Sequence, residues 1–254
     1  MSALPNALAL KRADSIERLW LLGLVTPAML LIVITMVLPV GWLFYLSLLS
    51  DTGAFTTEHY VRMWEQPSYF RTFRTTFEVS IMTTAICLVI GYPLAYFLSE
   101  LPKRAANLCM IAVLLPLWTS LLVRTYAWLV LLQRKGLINN WAIELGLWTE
   151  PIALVHNMLG TLIGTVHVML PFLILPLYSS MRAIDRNYLR AAANLGASPM
   201  KTFWSVFFPL AMPGMATGAL IVFILCLGFY ITPAVLGGGK VIMVSSRIAN
   251  DIEI

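Results

Sequence analysis

The feature that most constrains the fold is a series of long apolar runs without any charged residue. They cover residues 19–50, 79–99, 105–123 (continuing past Arg124 towards residue 133), 151–181 and 202–239. About 20 apolar residues cross a bilayer, so each run is long enough to span one. Because lipid cannot hydrogen-bond exposed backbone groups, segments of this kind span as helices. We therefore predict an all-α, polytopic transmembrane helical bundle with five spans.

The composition excludes an ordinary soluble domain. Of the 254 residues, 59% are hydrophobic and 11% are charged, whereas soluble domains carry about 25% charged residues. The net charge of +5 arises in short segments between the runs, where basic residues set membrane topology. We therefore expect the lipid bilayer, and no nucleic acid, as a partner.

The predicted organisation is an N-terminal segment, 1–18, followed by a transmembrane domain, 19–254, with a loop at 182–213. The first run is far longer than the roughly 7–15 residues of a signal-peptide core, so we expect it to stay in the membrane. With a cytoplasmic N-terminus, nine of the 17 Lys and Arg residues lie on the cytoplasmic side. The positive-inside rule thus favours this orientation only slightly.

Residues 184–214 predict two short helices joined by a tight turn. Asp185 is suited to cap the first helix, and Gly196 stands where a left-handed residue ends one. Ser198 and Pro199 supply the cap and the first-turn proline of a second helix. Two later prolines are predicted to end that helix and to bend the chain back into the membrane: Pro209 and Pro213.

Three interpretations of this segment compete. A helical hairpin between two spans is a rigid knob that suits force transmission from a soluble partner. Most loops between spans are instead plain amphipathic connections. A DNA-reading helix-turn-helix is disfavoured because spans begin within a few residues on both sides and leave no third helix.

The segment resembles the signature loop of ABC importer permeases, which reads Glu-Ala-Ala, three residues, Gly, nine residues, then Ile-x-Leu-Pro. Ala191, Ala192 and Gly196 fill their positions without a gap, and Phe208 stands in the Leu position before proline. The acidic position departs from the pattern, since Arg190 occupies it. The resemblance implies docking into a cytoplasmic ATPase through a coupling loop that includes Arg190, Ala191, Ala192, Gly196, Ala197, Ser198 and Pro199.

Other segments are similar to permeases of the spermidine/putrescine type: GYPLAYFL (91–98), LLPLWTSLLVRTYAWLVLL (114–132), KGLIN (135–139), LPFLILPLYSSM (170–181) and YITPAVLGG (230–238). This resemblance implies a type I importer fold in the bacterial inner membrane, with a cytoplasmic N-terminus and polyamines or related small solutes as cargo. It implies three kinds of protein partner: a second permease, two ATPase subunits that bind ATP and Mg²⁺, and an extracytoplasmic substrate-binding protein. The family pattern has a sixth span, which we expect beyond residue 254.

Candidate translocation-path residues are the acid, the arginine and the aromatic residues near the ends of the spans: Glu78, Trp118, Arg124, Tyr126, Tyr178 and Tyr230. The aromatic rings offer cation–π surfaces to an ammonium group, although aromatic residues at span ends are commonly belt or packing residues. Arg124 has three interpretations: a functional charge in the membrane, a residue snorkelling at the outer interface, or one half of a structural ion pair.

No enzymatic site is expected in this chain. The three histidines show no metal-ligand spacing, so we predict no metal site. The glycines before Lys240 do not form a phosphate-binding loop, because Val241 stands where that motif requires Ser or Thr. We therefore expect no cofactor here, with ATP and Mg²⁺ bound by the partner ATPase.

The sequence disfavours two other classes of membrane protein. An ion-coupled secondary transporter often has inverted repeats and acidic residues at the midplane, but no repeat is evident and none of the five runs contains Asp or Glu. A purely structural membrane anchor is disfavoured by the ordered hairpin.

Overall fold

The computed structural model describes Glu17 and residues 20–50 and 53–253, except for the side chain of Glu253. Within these residues the chain is helical and contains no β-strand, apart from an isolated bridge between Leu49 and Phe55. It divides into two compact units, Met1–Pro67 and Ser68–Ile254. Apart from Glu17, the predicted N-terminal segment 1–18 lies outside the described residues.

The first unit contains helix α1, Trp20–Ser47, which matches the first predicted span. A π-helical turn, Val33–Val37, interrupts it ahead of Pro39. A short loop leads to helix α2, Glu58–Glu65, and the hydroxyls of Ser47 and Tyr60 lie 2.6 Å apart. Apart from Ser47, the side chains of α1 are exposed within this chain, as expected of a helix that faces lipid or another subunit.

Helix α3, Pro67–Glu100, begins well before the predicted span at 79–99. The predicted span lies within this helix, which starts earlier because the charged residues before residue 79 do not interrupt it. Arg74 Nε lies 2.8 Å from Glu78 Oε1 one turn along the helix, so these charges offset each other without breaking the helix. Thr72 and Thr76 bond back to carbonyls one turn earlier, which lets them be buried.

The third predicted span is broken rather than continuous. Helix α4, Lys103–Leu114, runs into a 3₁₀ turn, Leu115–Trp118, and helix α5, Leu121–Leu132, follows after a bend of 95°. Thr119 and Ser120 have extended backbones at this bend. Hydropathy did not reveal the break, because apolar residues continue on both sides. A further helix, α6 (Leu137–Glu144), follows between the third and fourth predicted spans.

Helix α7, Met158–Ala183, is the fourth span and starts with Asn157 as its cap. Pro171 and Pro176 lie inside it. Helix α8, Arg186–Asn194, follows directly. After Gly196, helix α9 runs from Pro199 to Leu227. We call residues 185–202 the hairpin, and the end of the bundle that carries it the hairpin end.

Pro209 and Pro213 do not end the second helix of the hairpin, contrary to the prediction. A π-helical turn, Phe203–Phe207, precedes Pro209, and the helix continues through Pro213 to Leu227. The wider turn accommodates a proline ring inside the helix. The hairpin is therefore continuous with a membrane span.

The last predicted run, 202–239, contains two helices, because α9 is followed by helix α10, Ile231–Gly237. Beyond residue 240 the chain forms helix α11, Val244–Glu253. The backbone N–H of Val244 donates to the Thr76 hydroxyl of α3, at 2.9 Å. Val79 packs with Val241 and Met243 at the same place.

The core of the second unit forms where α3, α7 and α9 meet, and α7 with α9 makes the most extensive contact. Two glycines one turn apart on α9 allow this closeness. A β-carbon at Gly214 would collide with the Cβ of Ser180, and one at Gly218 would lie 2.9 Å from the Leu173 carbonyl oxygen. Small residues at this spacing are typical of helix pairs in membranes.

Four described helices are long and apolar enough to cross a membrane: Trp20–Ser47, Pro67–Glu100, Met158–Ala183 and Pro199–Leu227. The bent pair Lys103–Trp118 and Leu121–Glu144 makes a fifth if it is one broken span. The predicted helical class is confirmed, and the five predicted spans correspond to the upper count.

We predict that Gly214→Leu lowers the free energy of unfolding by about 1–3 kcal/mol, the usual cost of overpacking a close contact. The added side chain would collide with Ser180 on α7. Thermal unfolding of the purified protein in detergent measures the effect. Gly41→Leu is the matched control, because nothing lies within 4 Å of a β-carbon there. Equal unfolding temperatures for the two variants would contradict the packing role of Gly214.

Candidate coupling hairpin and membrane path

The hairpin is shaped by its local sequence. The Asp185 side chain accepts a hydrogen bond from the Asn187 N–H at 2.9 Å and caps α8. Gly196 has a φ of +80°. The N–H of Gly196 donates to the Ala193 carbonyl at 2.9 Å, and that of Ala197 donates to the Ala192 carbonyl at 3.1 Å. This pair of bonds is the Schellman motif, which requires a left-handed residue, so the predicted cap and turn are confirmed.

The second half of the hairpin also follows the prediction. Ser198 caps the first turn of α9 by accepting from the Lys201 N–H at 3.4 Å, and Pro199 is the first helical residue. Since Pro199 lacks an N–H, its position costs the helix no hydrogen bond. The coupling-loop residues predicted from sequence thus lie in the end of α8, the turn and the start of α9, while their docking role stays a prediction.

The tip of the hairpin exposes large apolar side chains beside positive charge. Leu195 is 89% exposed and Met200 68%, and Arg190 and Lys201 are also exposed. Exposed apolar patches rimmed by polar groups commonly mark protein interaction sites. The tip has the character of a contact surface, and the exposed residue at the acidic position of the family pattern is Arg190 rather than a carboxylate.

An aromatic cluster joins the hairpin to the bundle. The ring of Tyr96 on α3 makes edge contacts with Phe203 and Phe207 of α9, with centroids 5.6 and 5.1 Å apart. A groove of about 360 Å³ lies beside this cluster, between the hairpin and α3. Its lining comprises Tyr96, Leu189, Ala193, Ala197, Pro199, Thr202, Phe203 and Phe207. The edge contacts of Tyr96 with the two phenylalanines add stability beyond the area that they bury.

Sequence reasoning missed a group of charged residues under the hairpin. Arg182 Nη1 donates to the carbonyl oxygens of Ser99 and Leu101, at 2.8 and 3.0 Å. Arg186 Nη1 lies 2.5 and 2.7 Å from the carboxylate oxygens of Glu100. The only sequence signal was the presence of opposite charges at the ends of two spans.

The candidate path residues do not form one cluster. Tyr178 packs at the hairpin end, within the same cluster as Phe207. Glu78 lies on α3 toward its opposite end, and its charge is partly offset by Arg74. Tyr230 directly precedes α10, beyond the far end of α9. Trp118 is 80% exposed at the bend between α4 and α5.

Arg124 and Tyr126 lie on α5, just after the bend. Two guanidinium nitrogens of Arg124, Nε and Nη1, are buried without a hydrogen-bond partner in the described part of the chain. No carboxylate among the described residues forms an ion pair with it. A structural ion pair would therefore need a partner from outside those residues. Tyr126 is exposed.

A small polar network surrounds this part of α5. Trp128 Nε1 donates to His167 Nδ1 of α7 at 3.1 Å. The hydroxyls of Thr125 and Thr232 lie 3.1 Å apart and connect α5 to α10. These bonds fix α5 against α7 and α10. The sequence did not indicate this network, and it raised His167 only as one of the histidines weighed for a metal site.

The chain is similar to known transport proteins over most of its length. Residues 24–253 match the family described as "Binding-protein-dependent transport system inner membrane component". The spermidine/putrescine transport system permease protein PotB of Salmonella typhimurium is 36% identical over 76% of this chain and 67% of its own. The PotB proteins of Escherichia coli (35% identity, 76% of this chain and 70% of that protein) and Haemophilus influenzae (36%, 78% and 69%) are comparably similar.

Solved structures share the fold at lower identity. The crystal structure of a bacterial ABC transporter involved in import of the polysaccharide alginate aligns with a TM-score of 0.66, 16% identity, and coverage of 93% of this chain and 82% of that one. A bacterial alginate transporter in complex with a periplasmic protein gives a TM-score of 0.65 at 16% identity, covering 85% of this chain and 74% of that one. Together with the helical architecture, these matches confirm the type I permease fold.

The family also decides between the predicted classes. Its members are membrane components of transport systems rather than enzymes, as predicted, and no finding supports the alternative of a secondary transporter. With several spans, this is a multi-pass inner-membrane permease of a binding-protein-dependent ABC importer. The chain belongs to the family of binding-protein-dependent transport system inner membrane components.

Proposed function

We propose that this permease imports a polyamine or a related small cationic solute delivered by a substrate-binding protein. The support is the 35–36% identity to three proteins named as spermidine/putrescine permeases. The likeness to the alginate transporters supports the fold alone, because only 16% of the residues are identical. A second permease would complete the pore.

The hairpin is the proposed docking element for the ATPase subunits, and the single observation that carries this is its continuity with α9. Arg190, Ala191 and Ala192 lie before the turn and Gly196 at it, while Pro199 starts the helix that becomes a span. A force applied to the tip therefore reaches the membrane through an unbroken helix. Docking to cytoplasmic ATPases would put the hairpin and the N-terminus on the cytoplasmic side of the membrane.

The proposed cycle uses ATP only in the partner subunits, where its binding draws the two ATPases together. The hairpin would follow the docked surface, and α9 would move with it. Because α9 packs on α7 through glycine contacts, the two helices would shift as a pair. The pore would then alternate between outward and inward openings.

The path residues remain part of this proposal. Trp118 and Tyr126 expose aromatic faces near the bend, where a cationic solute would find cation–π partners. Tyr178 lies near the hairpin end and Tyr230 near the opposite end, so they would meet the solute at different stages. Glu78 would act at the far end, where the solute arrives.

We predict that Gly196→Val uncouples the transporter: the ATPases still hydrolyse ATP, but uptake falls strongly. Valine at a φ of +80° strains the turn by about 1–2 kcal/mol and disturbs the Schellman bonds. Uptake and hydrolysis are measured together in proteoliposomes that contain the complete transporter.

Gly146→Val is a closely matched control. Gly146 also has a positive φ, +70°, and its turn contains the same pair of bonds, from Gly146 N–H to Ile143 and from Leu147 N–H to Ala142. The backbone cost is therefore similar, but the site is outside the hairpin. Normal uptake by Gly196→Val, or equal losses in both variants, would contradict the coupling role.

The cargo is tested by the solute that stimulates transport. We predict that the cognate binding protein loaded with spermidine or putrescine raises ATP hydrolysis and drives uptake of the labelled polyamine. The same protein offered a neutral sugar or an anionic amino acid serves as the control. Stimulation by one of these, with no response to polyamine, would contradict the cargo assignment but leave the importer assignment intact.

A further inference from the structure

The end of α3 is held to the start of the hairpin by two arginines. Arg182 lies in the last turn of α7 and Arg186 is the first residue of α8. Both donate to the carbonyl oxygen of Ser99, at 2.8 and 3.2 Å, and Arg186 also pairs with Glu100. The last carbonyls of a helix lack intrahelical partners and carry partial negative charge. The two guanidinium groups therefore close the end of α3.

The pair between Arg186 and Glu100 contributes little to folding stability. The two side chains are 42% and 40% exposed, and ion pairs that exposed contribute little to folding because water and salt screen them. Their bonds nevertheless connect residues more than 80 positions apart. They fix the direction of the hairpin relative to α3.

Apolar packing continues the contact below the charges. Leu98 and Met181 belong to one buried cluster, against which Leu101, Ile184 and Leu189 pack. The ends of α3 and α7 and the first helix of the hairpin therefore share one core. Displacing the hairpin by itself would open that core.

Helix α3 reaches from this contact to the opposite end of the bundle. The 24 helical steps from Thr76 to Glu100 span about 36 Å at 1.5 Å per residue. At the far end, Thr76 accepts a hydrogen bond from the Val244 N–H, and Val79 packs against Val241 and Met243. A movement imposed at Glu100 would thus be felt at the segment that leads into α11.

We propose that Arg182, Arg186 and Glu100 are positioning residues that transmit the movement of the hairpin into α3, in parallel with its direct continuation into α9. This inference rests on the proposed docking of the hairpin to the ATPase. Movement of the hairpin would thus reach the far end of the bundle by a second route, through the side-chain contacts of Arg182 and Arg186 with the end of α3. The link works only while the charges on α3 and α8 are opposite.

The test is a charge-exchange series in the complete transporter. Glu100→Arg and Arg186→Glu place like charges together, and the double variant restores an opposite pair. We expect each single variant to lower the ratio of solute imported to ATP hydrolysed by about three-fold, the size associated with loss of a partly exposed ion pair. The double variant should recover most of the ratio. Assembly and unfolding temperature should change little.

Glu58→Gln is the matched control, since it removes another exposed arginine–carboxylate pair, with Arg62 one turn along α2. It should leave the ratio unchanged. A wild-type ratio in both single variants, or no recovery in the double variant, would overturn the link. If the unaltered chain neither binds the ATPases nor couples hydrolysis to uptake, the proposed function itself fails, which distinguishes the two outcomes.

Discussion

The close approach of α9 to α7 is the contact on which the rest of the second unit depends. Gly214 and Gly218 bring the backbone of α9 against Ser180 and Leu173, and this closeness is what membrane helices use in place of a hydrophobic driving force. It fixes α9, and α9 carries the hairpin as its own N-terminal extension. The position of the hairpin is therefore set by packing between spans rather than by a flexible loop.

A second layer of contacts makes the hairpin part of the bundle. Tyr96 packs on Phe203 and Phe207, and Arg182 and Arg186 close the end of α3. The aromatic contacts stabilise this end of the bundle. The exposed charged groups add little stability, but their short bonds fix the direction of the hairpin relative to α3. The hairpin, α3, α7 and α9 are thereby joined at one end of the bundle. The proposed transmission of movement from the hairpin to the spans requires such a connection.

The sequence alone predicted the caps and turns that depend on neighbouring residues. It did not predict the features that depend on contacts between residues far apart in the chain. The turn at Gly196 and the cap at Asp185 are local, so their residue types sufficed. The sharp break before α5 was hidden, because apolar residues continue through it, and Pro209 was wrongly taken as a helix end because a preceding π-helical turn accommodates it. The pairing of Arg186 with Glu100 joins residues far apart in sequence, which no local pattern indicates.

The central claim is that the hairpin and α3 move together, and cross-linking tests it most directly. Cysteines at Glu100 and Arg186, in a background where exposed Cys109 is replaced by serine, remove the charge pair and supply two thiols for a short bifunctional reagent. Solute imported per ATP hydrolysed is measured before and after cross-linking. Our account predicts a low ratio before the reaction and recovery towards the wild-type value after it. A further fall on cross-linking, with the ATPase subunits still bound, would show that the hairpin must move against α3 and would contradict the claim.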